Sequence, residues 1–274
     1  MSRRVSTQAL IARRATLVFA LIIFLAPILW LITIAYKAKR DIFTMPPELL
    51  FTPTLSNFSD VFKFFDIPEL IGSSLIISLG SAALSLLIGV PCAYALARSK
   101  ARWTVGVAYF FLAVRTVPQV ATLIPFYLMM RSLGLLGTWW AVIMLNATLS
   151  AAFVVWMMYS YFRSLPREVE EAALTDGCSQ FGAFWRIALP LVRPGIIACT
   201  LFCIMFAWND YLIPAFLTRT ETRPISVALL SAFGMLDITW GTLGALAHFS
   251  TIPVVLLALL LNRYFVQGLT RGVH

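Results

Sequence analysis

Charge is scarce in this chain of 274 residues: Asp, Glu, Lys and Arg together make up 12% of it, roughly half the share found in an ordinary soluble domain. Histidine is scarcer still. His248 and the terminal His274 are the whole complement, which argues against a histidine-rich metal site or a histidine-based triad. The four cysteines, at 92, 178, 199 and 203, form no CxxC pair and no disulfide framework. Cys199 and Cys203 stand one helical turn apart with no further ligand near them in sequence, so the pair reads as apolar packing. No GxxxxGK[ST] phosphate loop occurs, so the chain does not bind ATP in the usual way. HExxH, GxSxG and paired intramembrane aspartates are missing as well, which argues against a membrane-embedded enzyme.

What is abundant is apolar surface. Hydrophobic residues make up 60% of the chain and the mean hydropathy is +0.87. A chain of this length keeps a large surface after folding, so lipid must cover much of it. A span needs about 20 mostly apolar residues, and six segments qualify: 15–36, 70–97, 104–130, 138–162, 196–217 and 241–265. The first follows Arg3, Arg4, Arg13 and Arg14 in the manner of a signal peptide, but its apolar stretch is too long. It is expected to be retained. The fold class is therefore all-α, a polytopic membrane protein with six transmembrane helices.

The basic residues orient the bundle. With six spans, the N-terminus, the loops around 98–102 and 163–195, and the C-terminal tail share one face, which carries a net charge of +9. The opposite face carries equal numbers of acids and bases. The basic face is then cytoplasmic, and the formal charge is explained without nucleic acid. The expected organisation is a cytoplasmic segment 1–14, a transmembrane domain 15–265 and a cytoplasmic tail 266–274. Small residues recur at every fourth position in the second span (Ser81, Ser85, Gly89, Ala93 and Ala97), a spacing that lets another helix approach closely. Prolines at 91, 118, 125, 214 and 253 are expected to break or bend four of the spans.

Segment 163–195 is patterned too regularly for a linker. Ser164 suits a helix cap, Pro166 a first turn, and Glu168, Glu170 and Glu171 the positive end of the helix dipole. Gly177 is a natural stop and Ser179 a second cap, for a helix ending before Pro190. The expected product is helix–turn–helix with apolar residues on a cytoplasmic face. Residue physics leaves two readings open, a docking surface for another protein and an amphipathic pair lying on the bilayer.

Glu171-Ala172-Ala173, with Asp176-Gly177 after it and then Ile187, Leu189 and Pro190, resembles the EAA motif of ABC-importer membrane subunits. The runs 51–58 and 93–98, Trp208-Asn209-Asp210 and the closing 268–272 are similar to the carbohydrate-uptake permeases of maltose type, in particular their six-span "G" subunit. Ser73-Ser74 departs from that family, where an asparagine–serine pair is common. The resemblance implies the transmembrane domain of a type I importer, in the cell inner membrane with both termini cytoplasmic. This chain would bind no cofactor. ATP and Mg would be used by two partner ATPase subunits, alongside a second homologous permease and an extracytoplasmic solute-binding protein. The loop helix would sit in a cleft of the ATPase, whose closure on ATP would tip the bundle outward-open, with hydrolysis resetting it. Glu171 would pair at that surface or simply favour its own helix end, and Ala172 and Ala173 would allow close docking or simply form helix.

Polar groups inside a span are costly and usually face a cavity or a partner. Asn146, Asn209, Asp210 and His248 fall at similar depth, with Arg115 nearer mid-membrane and Trp208 an available aromatic platform. These are the candidates for a sugar pathway. They could equally bond one another across helices, the reading favoured for Asn209, Asp210 and Arg115. A rival class is an ion-coupled secondary transporter using Asp210 and His248, but no inverted repeat supports it. The charge asymmetry makes a direct test. In a cysteine-free background of intact cells, Thr222→Cys should react with an impermeant thiol reagent from outside and Ser179→Cys should not. The reverse pattern would overturn the orientation.

Overall fold

A computed structural model of the chain describes residues 7–233 and 238–270. All regular structure among them is helical. Four helices are individually long and apolar enough to cross a membrane: Arg13–Tyr36, Ile67–Arg98, Trp139–Ser164 and Trp240–Leu257. Two bent pairs also pass, and the span count reaches six when each counts as one. The chain divides into two compact units, Met1–Asp66 with Ser231–Thr251 and Ile67–Leu230 with Ile252–His274.

In the first unit, α1 (Thr7–Tyr36) starts ahead of the expected span and none of its apolar window is buried. Its C-terminal carbonyls lose their intrahelical partners, as at every helix end, and Asn57 of α2 (Ser56–Phe64) meets two of them. Its fully buried amide donates to the carbonyls of Ala35 and Lys37, at 2.9 and 2.8 Å. Lys37 is itself buried. Its Nζ donates to the Glu48 carbonyl at 2.7 Å and lies over the rings of Trp30 and Phe51. Opposite Asn57, only a glycine fits at 241, since an added Cβ would come within 2.4 Å of the amide.

The second unit is organised on α3 (Ile67–Arg98) and α6 (Trp139–Ser164). The small residues at 81, 85, 89, 93 and 97 are all buried. At Gly89 an added Cβ would lie 2.8 Å from a Val154 methyl carbon and 3.3 Å from the Ala151 carbonyl, so the two backbones meet there. Ala93, Ala97, Val154, Met158 and Phe162 pack with Cys199 and Cys203 of α10 (Arg193–Asn209) in one apolar cluster. Ser73 and Ser74, at the other end of α3, are tied in by hydroxyl bonds. Trp139 Nε1 donates to Ser73 at 3.1 Å, and the Ile225 backbone N–H donates to Ser74 at 2.9 Å.

The third span breaks at Pro118, one of the prolines expected to break or bend a span: α4 (Thr104–Val114) and α5 (Gln119–Ser132) meet at 86°, because Pro118 disfavours helical backbone at Val117 and offers no N–H. The fifth span stops at Asn209. Asp210 is extended, and a short α11 (Leu212–Leu217) follows. Pro91, Pro125 and Pro253, in contrast, lie inside continuous helices, as prolines in membrane helices are able to. The chain is completed by α7, α8 and α9 of the 163–195 loop, described below, by α12 (Ile225–Ala232), and by α13 (Trp240–Thr270), which runs past the expected span end at 265. The expected segments at 1–6 and 271–274 lie outside the described residues.

Gly89 and Gly72 test the helix seam. Gly89→Val should force α3 from α6 and lower the unfolding midpoint in detergent, by an overpacking cost of about 1–3 kcal/mol. Gly72→Ala, where an added Cβ meets nothing within 4 Å, should leave the midpoint unchanged or raise it, through helix propensity.

Candidate functional site: an intramembrane cavity and a motif-bearing loop

The break between α4 and α5 has a consequence for Arg115, the residue that closes α4. Its guanidinium projects against α6 and α10, 3.9 Å above the Phe206 ring and 5.1 Å from that of Phe153. Phe202 completes a three-ring cluster with them. A cation on aromatic faces is held without a carboxylate, and among the described residues Arg115 makes no ion pair. Its Nη1 is buried without a hydrogen-bond partner.

Beside it opens a cavity of about 650 Å³ lined by Arg115, Gln119, Asn146, Ser150, Asn209 and Asp210, with Phe202, Phe206 and Tyr211. Asp210 lies where α10 has ended, and its carboxylate faces the backbone N–H groups of Leu212 and Ile213 at the start of α11. The Asn146 amide is beside it, yet Asn146 Nδ2 and Asp210 Oδ2 are both buried and unpartnered. Asn209 donates to the Met205 carbonyl at 2.8 Å. Four of the six polar and aromatic residues singled out from sequence thus share one cavity. Trp208 does not line it; this buried side chain faces a separate space of about 60 Å³, with Leu75, Ser78 and Pro253. His248 belongs to the other unit, against Tyr36 and Phe58. Sequence reasoning missed Ser150 and the Phe202–Phe206 faces, which are unremarkable residues until α4 breaks.

The 163–195 segment folds largely as its sequence dictates. α7 (Arg167–Thr175) ends in a Schellman turn: the Cys178 N–H reaches the Ala173 carbonyl and the Gly177 N–H that of Leu174, with Gly177 at φ +88°. Ser179 caps α8 (Gln180–Ala183), accepting the Gly182 N–H at 3.1 Å. Two details differ from expectation. Ser164 is not a cap, since its hydroxyl donates back to the Tyr161 carbonyl, and Pro166 takes the position before α7. The second helix does not stop before Pro190. It continues through a π-helical stretch, Phe184–Ala188, into α9 (Leu189–Leu191), the widened turn making room for a ring without an N–H. The whole segment Gln180–Leu191 meets α10 at 75°.

Glu171, Ala172, Asp176 and Gly177 are exposed and Ala173 is buried, while Ile187 and Leu189 are half-buried and Pro190 is exposed. Phe181 and Trp185, with rings 6.1 Å apart, stand out at 72% and 51% exposure. Glu170, in contrast, is buried on Arg98 and Tyr94. Nothing in the sequence separates these two neighbouring acids except their position around the helix.

An all-α bundle with an intramembrane polar cavity and this loop defines a solute permease. Residues 85–271 match the family of binding-protein-dependent transport system inner membrane components, and the chain belongs to that family. It is 33% identical over 251 residues to the probable ABC transporter permease protein y4oR of Sinorhizobium fredii, covering 91% of this chain and 90% of that one. It is 31% identical over 251 residues to the sulfoquinovosyl glycerol transport system permease protein SmoH of Agrobacterium fabrum, covering 90% and 88%. Its fold matches a chain of a bacterial ABC transporter that imports the acidic polysaccharide alginate, with a TM-score of 0.79 at 23% identity, covering 96% of this chain and all of that one. The protein is a transport subunit of an ABC importer and not itself an enzyme. The ion-coupled alternative finds no support in these likenesses.

Asp210 offers a test of how the cavity is held. Asp210→Asn keeps an oxygen for the N–H groups of α11 and should assemble normally. Asp210→Leu leaves those donors unpaired, at about 1–3 kcal/mol, and should lower the recovered amount of folded permease by size-exclusion chromatography. Equal recovery of both would show that α11 does not depend on the carboxylate.

Proposed function

We propose that this chain forms half of the translocation pathway for a sugar or sugar-like solute, and that segment 163–195 docks it onto the ATPase. In this reading two ATPase subunits consume ATP and Mg, a second homologous permease supplies the other half of the pathway, and an extracytoplasmic binding protein delivers the solute. Both termini and the loop lie in the cytoplasm, a placement that the charge asymmetry supports. The transmembrane domain spans 15–265 between the cytoplasmic ends 1–14 and 266–274.

The observation that carries the proposal is the exposed face of the loop. Phe181 and Trp185 stand out after the turn as Glu171 and Ala172 do before it, presented by two short helices that the Gly177 turn joins. A soluble face with such rings uncovered is a partner surface, and the motif residues Glu171, Ala172, Ala173, Asp176, Gly177, Ile187, Leu189 and Pro190 belong to it or support it. Closure of the ATPase pair would displace these helices and shift the bundle between two states, each favoured by its own contacts.

The pathway is assigned to the cavity of Arg115, Asn146, Asn209 and Asp210. Unpartnered buried atoms on three of them are what a hydroxyl-rich solute would satisfy, while the phenyl faces suit the apolar side of a sugar ring. The relative that serves sulfoquinovosyl glycerol supports the solute class. Trp208 and His248 stay with the pathway as candidates in the assembled importer.

Gly177 gives the test. Valine at φ +88° carries strain of about 1–3 kcal/mol, while an added Cβ there meets no neighbour, so any effect comes from the turn itself. Gly177→Val should reach normal membrane abundance, lose ATPase on co-purification and accumulate little sugar in vesicles holding the full importer. Gly177→Asn, which tolerates the left-handed region, should keep most of both. Wild-type vesicles should take up sugars or glycosides in preference to amino acids. Normal ATPase retention and uptake in Gly177→Val would overturn the docking role, and uptake of amino acids alone would overturn the solute class.

A further inference from the structure

The most thoroughly tied side chain of the loop is Glu170, one residue ahead of the motif. Arg98, the last residue of α3, donates through Nε to both of its carboxylate oxygens at 3.0 Å and through Nη2 to Oε1. Tyr94, one turn earlier, donates its hydroxyl to Oε2 at 2.8 Å. The remaining arm of Arg98, Nη1, donates to the Phe162 carbonyl at 2.9 Å. Arg98 and Glu170 are largely buried, with side-chain exposures of 16% and 9%, whereas the two other ion pairs among the described residues leave their basic partner mostly in the open. Above the pair, the Tyr94 ring lies 4.7 Å from that of Phe184 in the π-helical stretch and 5.3 Å from that of Phe162.

One guanidinium therefore ties together the ends of α3 and α6 and the first turn of α7. Each contact satisfies a local need. A cation suits the C-terminal end of α3, an anion suits the start of α7, and the Phe162 carbonyl, in the last turn of α6, takes Arg98 as a second donor beside the Leu165 N–H. Apolar contact alone would hold α7 against the bundle but would let it turn or slide. A fork bonded to both carboxylate oxygens fixes orientation as well as distance.

We infer that Arg98 and Glu170, with Tyr94, are positioning residues that carry movement of the 163–195 loop into the α3–α6 seam. The inference rests on the reading of that loop as the ATPase dock. The seam in turn carries Asn146 and Ser150 to the cavity, so the pair stands on the covalent and packed route between the two. Glu171, exposed about 100° further round α7, is left for the partner while Glu170 holds the bundle. The two adjacent acids divide the work.

The test uses the complete importer in vesicles, in a cysteine-free background with Leu149→Cys, on the cavity wall, as reporter. Its reaction with an impermeant maleimide is compared with and without ATP and vanadate, which trap the ATPase closed. The double variant Arg98→Met with Glu170→Met leaves no buried charge unpaired, so it should accumulate and retain ATPase as the parent does. It should lose the trapping-dependent change at Leu149→Cys. Arg98→Glu and Glu170→Arg should each lose it alone, and their combination should recover part of it. An undiminished response in the double methionine variant overturns the link. Should that variant accumulate poorly, Arg98→Lys decides: it keeps the charge without the fork, and an undiminished response there overturns the link equally. Gly177→Val in the same background separates the two ideas, because full ATPase retention and response in that variant would instead overturn the dock on which the link depends.

Discussion

The close approach of α3 and α6 is the constraint from which the rest of the second unit follows. Water contributes no hydrophobic drive between helices in lipid, so two membrane helices pair by fitting closely and by hydrogen bonding. Gly89 against Val154 and the buried serines at 81 and 85 give this pair its closeness. Both ends of α3 are then fastened by polar groups, Ser73 and Ser74 at one end and Tyr94 and Arg98 at the other. What α6 offers on its other faces, Asn146 and Ser150 toward the cavity and the Phe162 carbonyl toward Arg98, is positioned by that seam.

Several polar groups of the membrane region meet backbone at a helix end. Asn57 serves the end of α1, the Asp210 carboxylate faces the start of α11, and Arg98 serves the end of α6. Arg115, Asn146 and Asp210 keep one atom each unpartnered, and all three line the same cavity. The two breaks in the helical bundle, at 115–118 and at 210–211, are where Arg115 and Asp210 enter it. The irregular backbone lies where it borders that cavity.

Much of this was legible in the residues. Apolar runs gave the spans, the four-residue spacing of small residues gave the packed face of α3, and Gly177 and Ser179 gave the turn and cap of the loop. The breaks were harder to read. Pro91, Pro125 and Pro253 leave their helices continuous while Pro118 ends one, and a proline looks the same in sequence in every case. The outcome depends on whether neighbours accept the freed carbonyl. The Arg98–Glu170 pair was hidden for a related reason. Its partners are 72 residues apart, and only the fold shows that Glu170 turns inward where Glu171 turns out. Trp208 looked like a platform for a ring because of its type, but its helix face directs it elsewhere.

The bareness of α1 bears on how the chain is made. Its apolar window has no protein cover at all, whereas 67% of the window of α6 is buried. During synthesis α1 leaves the ribosome ahead of α3 and α6, already exposing apolar surface suited to lipid, and can settle in the bilayer before they exist. For α6 the order is reversed: its serine, asparagine and small-residue faces become stable only once α3 is beside it. The self-sufficient segment therefore precedes the dependent one, which emerges when its partner α3 is already waiting.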